Sequence, residues 1–424
     1  MNTSRAGAAG AIAIGLLTVT ACGGGGSADG KMHVWMYQDS LAVVQKSAVE
    51  RFNEDADIEA VVDEVPGDTY QDKVRTVMGS GDQPDVFFNW GAGSIQPYVE
   101  QDMLLPLDDA LESDPEFADA YISSVMEAGK VDGVQYGIPL RGTQPVILFY
   151  NKEVFEDVDA EAPETWDDII DLTDTFKDEG ITPFALGGAD AWTEQMWLQY
   201  LVDRQGGPEV FQRIQDGDSE GWRDPAVLKA AETVEDLVER GAFGDNFASV
   251  SYTEGAASDL LAQGKAAMHL MGSWEFSTHL DQAPEFAEEG LGYVAFPALP
   301  DGEGDPANVA GNPTNYFSVS ADSEYTEEAV EFLKTTSSEE YVQDMVDNGE
   351  VPTTTGAEEL LKDSPDPDFA TFQYEMVQDA PHFQLSWDQA LPPEVATPML
   401  TEIEKLFNGQ ISPEEFVDAV AELQ

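Results

Sequence analysis

The side chains most often used in catalysis are scattered in this sequence or too common to be informative. Its four histidines are His33, His269, His279 and His382. They form neither an H-E-x-x-H pair nor a Cys/His cluster, so they indicate no zinc site. The 83 acidic residues produce carboxylate pairs at every spacing, and none can be assigned to glycoside hydrolysis. The sequence therefore predicts no enzyme, no cofactor and no metal site.

Tryptophan is the residue type whose placement indicates binding. Trp90, Trp192 and Trp274 each follow a predicted strand beside Gly, Asn or Asp. Trp387 lies between predicted helices, next to Asp388. Indole rings stack on the C–H faces of a ligand while neighbouring polar groups bind its hydroxyls. The alternative, that each tryptophan is part of a core, is the more common case for an isolated one. Four at such positions favour a pocket for a neutral, polyhydroxylated ligand.

The elements that must position these residues begin with alternating strands and helices. Strands are predicted at 32–37, 58–65 and 84–88. Helices from about Asp39 and around Tyr70 separate them, which indicates a parallel sheet. Ligands of such sheets bind beyond the carboxyl ends of the strands. Those ends bring Gln38 and Asn89-Trp90 to one crevice, together with 66–68.

A second set of elements follows a short irregular stretch. The apolar run Val146–Tyr150 comes after Gly142 and Pro145 and predicts a strand buried on both faces. We interpret residues 139–146 as a crossover between two α/β lobes; an ordinary loop within one domain is the alternative. Further strands are predicted at 181–186, 266–271 and 315–320.

The composition sets limits on the partners. A chain of 424 residues is long enough for two or three domains with real cores. Its 19 Lys+Arg against 83 Asp+Glu give a formal charge of −64. This balance excludes phosphate-driven binding of nucleic acid and opposes electrostatic attraction to anionic lipid. An anionic ligand would also require clustered cations that this chain can hardly supply. A carboxylate-coated surface is compatible with a salty habitat.

The N-terminus resembles that of a secreted lipoprotein. An apolar stretch, Ala8–Val19, follows Arg5 and is too short to span a bilayer. It leads to Val-Thr-Ala-Cys22-Gly, which resembles a lipobox, and Cys22 is the only cysteine. We expect a signal peptide at 1–21 and a lipid-anchored, Gly-rich tether at 22–30. The alternative is a chance cysteine at the end of a plain secretory signal.

Several stretches together resemble one family. They are Pro84-Asp-Val-Phe-Phe-Asn-Trp90, Tyr136-Gly-Ile-Pro-Leu140, Leu148-Phe-Tyr-Asn-Lys152, Pro163-Glu-Thr-Trp166, Gly180-Ile-Thr-Pro-Phe184, Ala267-Met-His-Leu-Met-Gly-Ser-Trp274 and Ala329-Val-Glu-Phe-Leu333. On the basis of these stretches, the chain from Met32 to Gln424 resembles the sugar-binding lipoproteins of ABC importers, of the maltose-binding-protein-like class. Leu385–Pro393 is similar to actinobacterial importers of β-linked disaccharides such as xylobiose or chitobiose.

The resemblance implies an α/β fold of two Rossmann-like lobes, periplasmic-binding-protein-like and of type II. The lobes would comprise 31–140 plus 312–350, and 145–308 plus 352–424. Hinge segments would lie near 139–146, 308–313 and 350–353, with the ligand in the interlobe cleft. The expected ligand-binding residues are Gln38, Asn89, Trp90, Arg141, Gln144, Asp190, Trp192, Trp274, Asn312, Trp387 and Asp388.

The function implied is capture of a neutral di- or oligosaccharide and delivery to an ABC permease by lobe closure. A β-linked disaccharide is the narrower expectation. The protein would be a monomer on the extracellular face of the cell membrane, held there by lipid alone. Two alternatives are a binding protein of the same fold for a peptide or another solute, and a surface glycoside hydrolase. The sequence names neither the sugar nor the permease.

Overall fold

The structure, a computed structural model, describes residues 30–424. The predicted signal peptide, most of the tether and Cys22 lie outside the described residues. The strands are β1 Met32–Gln38, β2 Ala60–Pro66, β3 Val86–Asn89, β4 Lys130–Val131, β5 Val134–Gln135, β6 Ile138–Pro139, β7 Gln144–Asn151, β8 Thr182–Ala185, β9 Ala266–Gly272, β10 Leu291–Val294, β11 Val309–Asn312, β12 Tyr316–Val319 and β13 Phe383–Leu385.

Helices surround these strands. They are α1 Ala42–Asp55, α2 Tyr70–Val77, α3 Gln96–Val99, α4 Asp108–Ser113, α5 Pro115–Ala118, α6 Ser123–Glu127, α7 Lys152–Asp157, α8 Trp166–Asp178, α9 Ala191–Gly206, α10 Pro208–Gln215, α11 Pro225–Arg240, α12 Ala256–Ala262, α13 Trp274–Gln282, α14 Thr326–Lys334, α15 Glu339–Asp347, α16 Pro367–Gln378, α17 Trp387–Ala390, α18 Pro393–Phe407 and α19 Pro413–Ala421.

The first sheet has the strand order β2-β1-β3-β12-β6. Strand β1 runs parallel to both β2 and β3, which confirms the parallel arrangement predicted for the first three strands. Strand β12 comes from much later in the chain and lies antiparallel between β3 and β6. The carboxyl ends of β1, β2 and β3 therefore point to the same edge of the sheet.

The second sheet has the order β13-β11-β7-β9-β8, and β10 also pairs with β7. Its central strand β7 contains the predicted apolar run, and seven of its eight residues are buried, Tyr150 being the exception. Strand β7 is antiparallel to β9, β10 and β11, whereas β8 and β9 are parallel. A strand with neighbours on both sides and both faces covered favours a continuous apolar run, and the buried polar residues Gln144 and Asn151 lie at its two ends.

Each sheet has its own hydrophobic core. The first core draws on residues between 32 and 140 and between 317 and 357. The second draws on residues between 146 and 310 and between 369 and 421. Two sheets with separate cores confirm the predicted fold class of two α/β lobes.

The helix starts show the local signals expected from the sequence. Thr165 and Asp168 cap each other's backbone at the start of α8, and Ser412 and Glu415 do so at α19. Such caps satisfy backbone N–H groups that lack partners within the helix, at about 1 kcal/mol each. They define the residue at which each of these two helices begins.

Three chain segments connect the lobes and lie side by side. The Thr143 N–H donates to the Val351 carbonyl over 2.8 Å. Gln144 pairs with Asn312 at the junction of β7 and β11. A Cβ at Gly142 would lie 2.5 Å from the Val351 carbonyl oxygen, so this close approach requires glycine. That hinge segments lie near 139–146, 308–313 and 350–353, and that the lobes move about them, stays a prediction.

Residues after the third connection still contact the first lobe. Thr354 forms an isolated bridge with Tyr121, and the Thr355 N–H donates to the Ala120 carbonyl over 2.8 Å. Ala357 belongs to the first core. The boundary predicted at residue 352 therefore precedes the point at which packing passes to the second lobe.

Candidate functional site

Four aromatic side chains meet at the carboxyl edge of the first sheet. This first aromatic group consists of Tyr37, Tyr70, Phe88 and Trp90. The Trp90 ring lies 4.9 Å from Phe88 and 5.7 Å from Tyr37, edge-on to both. Trp90 is half-buried, while Tyr70 and Phe88 are buried beneath it. Edge-to-face packing of this kind holds a ring rigidly and leaves one surface open to a partner.

Asn89 supports Trp90 through the backbone. Its side chain is buried, with Oδ1 accepting from the Gly91 N–H over 2.9 Å and Nδ2 donating to Ser318 Oγ over 2.9 Å. These bonds fix the turn that presents the indole. We expected Asn89 to contact ligand; the structure instead engages its amide inside the first lobe.

Arg141 is committed to an ion pair. Its guanidinium donates to both carboxylate oxygens of Asp39, over 2.6 and 2.8 Å, and lies 5.1 Å above the Phe88 ring. Arg141 is buried, whereas the Asp39 side chain is 27% exposed. Gln38, just before Asp39, is exposed at the end of β1. A bidentate pair is geometrically rigid, so it fixes this corner of the cleft and leaves Asp39 as its accessible polar group.

A second aromatic group lies in the second lobe and consists of Trp192, Tyr252 and Trp274. Trp192 lies 5.3 Å from Tyr252, edge-on, and 6.2 Å from Trp274. All three are half-buried. The Trp274 ring folds back over Gly272, where a Cβ would lie 2.1 Å from it. Glycine at 272 is therefore what allows this indole position.

Asp190 braces the loop that carries Tyr252. Its Oδ2 accepts from the Tyr252 and Thr253 N–H groups over 2.7 and 3.1 Å, and from Ser251 Oγ over 2.9 Å. Its Oδ1 accepts from Thr253 Oγ1. The carboxylate, which we expected to contact ligand, is occupied mainly in holding residues 251–253 beside Trp192.

Trp387 is a core residue, and its assignment as a ligand platform is wrong in this structure. It has 0% exposure and stacks on Phe211 with ring centroids 5.0 Å apart. Trp222 packs edge-on against its indole, and the indole N–H donates to Gln384 over 3.0 Å. The position between predicted helices, next to Asp388, suggested an exposed ring, but two aromatic residues from distant parts of the chain cover it.

Asp388 is clasped by α9. Gln195 Nε2 donates to Asp388 Oδ1 over 2.9 Å, and the Asp388 N–H donates back to Gln195 Oε1 over 3.1 Å. Burial raises the pKa of Asp388 despite these bonds. The carbonyl groups of the nearby residues 390 and 391 contact Gly93 of the first lobe. A Cβ atom at position 93 would lie 2.6 Å from the Leu391 carbonyl oxygen. The hydrogen bonds between Gln195 and Asp388 therefore hold in place the segment that contacts Gly93 of the other lobe.

The connecting segments enclose a small cavity of about 10 Å³ between the lobes. Its lining residues are Leu41, Thr143, Gln144, Ser273, Trp274, Ser277, Gly349 and Glu350. Asn312, opposite Gln144 on β11, is 8% exposed, and its Oδ1 has no hydrogen-bond partner. Gln144 and Trp274 thus line the same cavity.

Glu350 is the titratable group of this cavity. It is 6% exposed; Oε2 accepts from the Gly142 N–H over 2.9 Å, and Oε1 has no hydrogen-bond partner. Burial raises the pKa of Glu350 to about 7, while Arg141 and the Gly142 N–H act in the opposite direction. Sequence reasoning missed Glu350, because one glutamate among so many acids carries no signal.

A buried polar cluster underlies Trp274. Glu275 Oε1 lies 3.0 Å from His269 Nδ1 and 2.9 Å from His279 Nε2. Burial alone would raise the pKa of Glu275, but the two histidines hold it below its ordinary value. Within residues 30–424 no group of three or more His, Cys, Asp or Glu side chains is placed to hold a metal ion. The cluster anchors the start of α13.

Sequence reasoning also missed Tyr37 and Tyr252. Tyr37 is the second-to-last residue of β1 and lies within the predicted strand, while Tyr252 lies in a loop whose sequence has no strand or helix signal. Their positions beside Trp90 and Trp192 depend on contacts between distant segments. In the part of the chain that is described, no helix has the length and apolarity needed to cross a membrane.

Solved structures and known sequences resemble this chain. A structure from work on xylan utilization by the thermophilic bacterium Caldanaerobius polysaccharolyticus has a TM-score of 0.85 and 26% identity, covering 92% of this chain and 99% of that one. A chitin oligosaccharide binding protein has a TM-score of 0.81 and 25% identity, covering 92% and 98%.

An uncharacterized ABC transporter extracellular-binding protein of Pyrococcus horikoshii is 26% identical over 203 residues, 47% of this chain and 44% of that protein. The chain spans about half the length of the curated relatives it matches. The profile of the bacterial extracellular solute-binding protein family matches residues 38–343, which is most of the chain. Together with the two-lobed fold, this match shows that the chain belongs to the family of bacterial extracellular solute-binding proteins.

Proposed function

We propose that this protein captures a neutral di- or oligosaccharide outside the cell. The observation that carries the proposal is the second aromatic group, in which Trp192 and Trp274 lie 6.2 Å apart beside Tyr252. Half-buried indoles suit the C–H faces of sugar rings. The first aromatic group supplies a further indole, Trp90, with the Asp39 carboxylate near it.

A β-linked disaccharide is the narrower proposal. Support comes from the two similar structures, one from work on xylan utilization and one a chitin oligosaccharide binding protein. Xylan and chitin are both β-linked polymers. A strongly charged ligand is disfavoured, because Arg141 is already neutralised by Asp39.

We propose that sugar binding closes the lobes about the three connecting segments. In this scheme the lobes comprise 31–140 plus 312–350, and 145–308 plus 352–424, with residues 354–357 packed on the first lobe. The connecting segments are short, and the close contact of Gly142 with Val351 holds two of them together. Changes in backbone angle would therefore be confined to a few residues, as expected of a hinge. The closed monomer would then dock on an ABC permease, with the protein acting as a carrier and not as an enzyme.

A thermal-shift screen of the soluble domain tests the sugar assignment. Xylo-, cello-, chito- and malto-oligosaccharides form the test set, and short neutral peptides form the comparison set. A true ligand stabilises the native state by about 2.7 kcal/mol at a hundredfold excess over its dissociation constant. Stabilisation by peptides and by no sugar would replace the proposal with the peptide-binding alternative. Release of chromophore from an aryl glycoside would favour a hydrolase.

We also propose that Cys22 carries a lipid anchor after removal of residues 1–21. The support is its position at the end of the apolar stretch and its status as the only cysteine. Cys22→Ser should move the protein from the detergent phase to the aqueous phase on cell fractionation. A Cys22→Ser protein that stays in the detergent phase would contradict the anchor.

A further inference from the structure

Glu350 has a feature that its structural contacts do not explain. One carboxyl oxygen, Oε2, accepts the Gly142 N–H over 2.9 Å, and the other, Oε1, has no hydrogen-bond partner although the residue is 6% exposed. Burying a carboxyl oxygen without a partner is costly. The Gly142 N–H occupies only one of the two carboxyl oxygens, so Oε1 is available to an additional partner.

The surroundings of Glu350 define what that partner can be. The cavity is lined from the first lobe by Leu41, and from the second by Ser273, Trp274 and Ser277. Its volume of about 10 Å³ is at the lower limit for holding a single water molecule or hydroxyl group. The indole of Trp274, a proposed sugar platform, borders the same space. A sugar stacked on that indole would have hydroxyls at its ring edge, directed toward polar groups.

We infer that Glu350 Oε1 accepts a hydrogen bond from one hydroxyl of the bound sugar and fixes that hydroxyl at the connecting segments. The inference rests on the proposed function, and it adds a ligand-contacting residue between the two lobes. Because Glu350 belongs to a connecting segment, the same contact would link ligand occupancy to the position of that segment.

The charges around Glu350 decide the direction of a pH effect. Among the described residues, the charged or titratable groups that act on it are Arg141, Asp39 and Tyr341. Arg141 is the only cation of these and is already paired with Asp39. A hydroxyl donating to an ionised carboxylate makes a charge-assisted bond, which favours the ionised form. With a pKa of about 7 before binding, Glu350 would release its proton as the sugar binds.

Titration calorimetry of the full soluble domain tests this. The probe is the member of the xylo-, cello-, chito- and malto-oligosaccharide set that wild type binds most tightly. Between about pH 5.5 and about pH 8.5 the wild-type affinity should rise about tenfold, with proton release detected in buffers of different ionisation enthalpy. Glu350→Gln, which keeps an acceptor for Gly142, should bind with pH-independent affinity. Glu324→Gln, an exposed glutamate, should keep the wild-type profile.

Monodeoxy analogues of the same sugar separate direct contact from an effect on the hinge. The analogue that lacks the contacted hydroxyl should bind wild type with an affinity that does not depend on pH. It should bind Glu350→Gln with the same affinity as wild type. If every analogue retains the wild-type pH slope, Glu350 does not touch the sugar and the inference is wrong. Sugar binding without proton release overturns the Glu350 inference alone. Absence of sugar binding at every pH overturns the proposed function as well.

Discussion

Trp274 and Trp387 have the same side chain in opposite environments, and the difference decides what each can do. Trp274 begins α13 half-buried, borders the interlobe cavity and lies 6.2 Å from Trp192. Trp387 is fully buried between Phe211 and Trp222. The local sequence does not separate them, because both follow a strand and precede an acidic residue. Only the aromatic partners, far away in sequence, distinguish the half-buried Trp274 from the core residue Trp387.

Substituting each tryptophan in turn tests the distinction. Trp274→Ala should cost roughly 2–4 kcal/mol of sugar binding, a loss of affinity of about 30- to 1000-fold. Its unliganded stability should fall by only about 1 kcal/mol, since much of the ring is accessible. Trp387→Ala should instead cost about 3–5 kcal/mol of folding free energy. Calorimetric titration and urea unfolding of both variants measure the two quantities. Near-wild-type affinity in a destabilised Trp274→Ala protein would place Trp274 in the core.

At the scale of the element, α9 shows why a helix can escape sequence analysis. All residues from Thr193 to Arg204 are buried, including the polar Glu194, Gln195 and Gln199. A helix covered on every side lacks the polar stripe that produces a 3.6-residue pattern. Helices α1, α8 and α11 instead pack on one face only, so their buried residues recur at helical spacing. The start of α13 is likewise hidden, because Gly272 and Ser273 before Trp274 are residues typical of a turn.

Glu194 makes α9 sensitive to pH. Neither carboxyl oxygen has a hydrogen-bond partner, and burial together with the charge of Glu404 raises its pKa to about 8 from 4.5. A carboxyl whose pKa is raised in the folded state keeps its proton at pH values at which the unfolded chain has already released it. Its stabilising contribution is therefore complete below about pH 4.5 and is lost as the pH rises through about 8.

Glu194→Gln should remove this dependence. At about pH 5 the variant and wild type should have similar unfolding free energies, and at about pH 8 the variant should be more stable by on the order of 3 kcal/mol. Glu404→Gln, at an exposed neighbouring position, should lower the pKa of Glu194 and reduce the slope only in part. Urea denaturation across this pH range gives the difference directly. Parallel curves for wild type and Glu194→Gln would show that Glu194 is ionised, or solvated, in the native state.

At the scale of the whole molecule, the large negative charge is the feature that most affects the dependence of stability on salt. The formal charge of −64 is spread over a surface on which most basic residues are already paired with acids. Exposed pairs contribute little, whereas repulsion among the remaining carboxylates acts over the whole surface. Added salt shortens the screening length from about 10 Å at 0.1 M to about 3 Å at 1 M.

The melting temperature should therefore rise between about 0.05 M and about 1 M NaCl. Choline chloride at equal ionic strength should produce the same rise, because screening does not depend on the cation. Differential scanning calorimetry measures both series. A rise seen only with sulfate would indicate exclusion of salt from the protein surface instead of screening, and a flat or falling curve in NaCl would contradict the charge argument.

The two-lobed plan was predictable from the chain because it depends on local signals. Apolar runs at β1, β3, β7 and β9 stand between turn residues, and their order indicated the sheets. The interior of the candidate site was less accessible, since Asn89, Asp190 and Asp388 have the residue types of ligand-binding groups but are used to hold loops and turns. A polar side chain next to a binding surface either contacts ligand or supports a residue that does, and its type does not distinguish these uses.

Strand β12 has a consequence for how the chain reaches its native state. It lies between β3 and β6, yet residues 316–319 follow the whole of the second sheet except β13. The first sheet therefore cannot be completed until about three quarters of the polypeptide is present. Until then, the backbone groups of β3 that pair with β12 have no strand partner. A protein that emerges across a membrane from its N-terminus would gain little by folding as it emerges. Its first half must stay soluble while incomplete, and a dense coat of like charge keeps such an intermediate from associating with its copies.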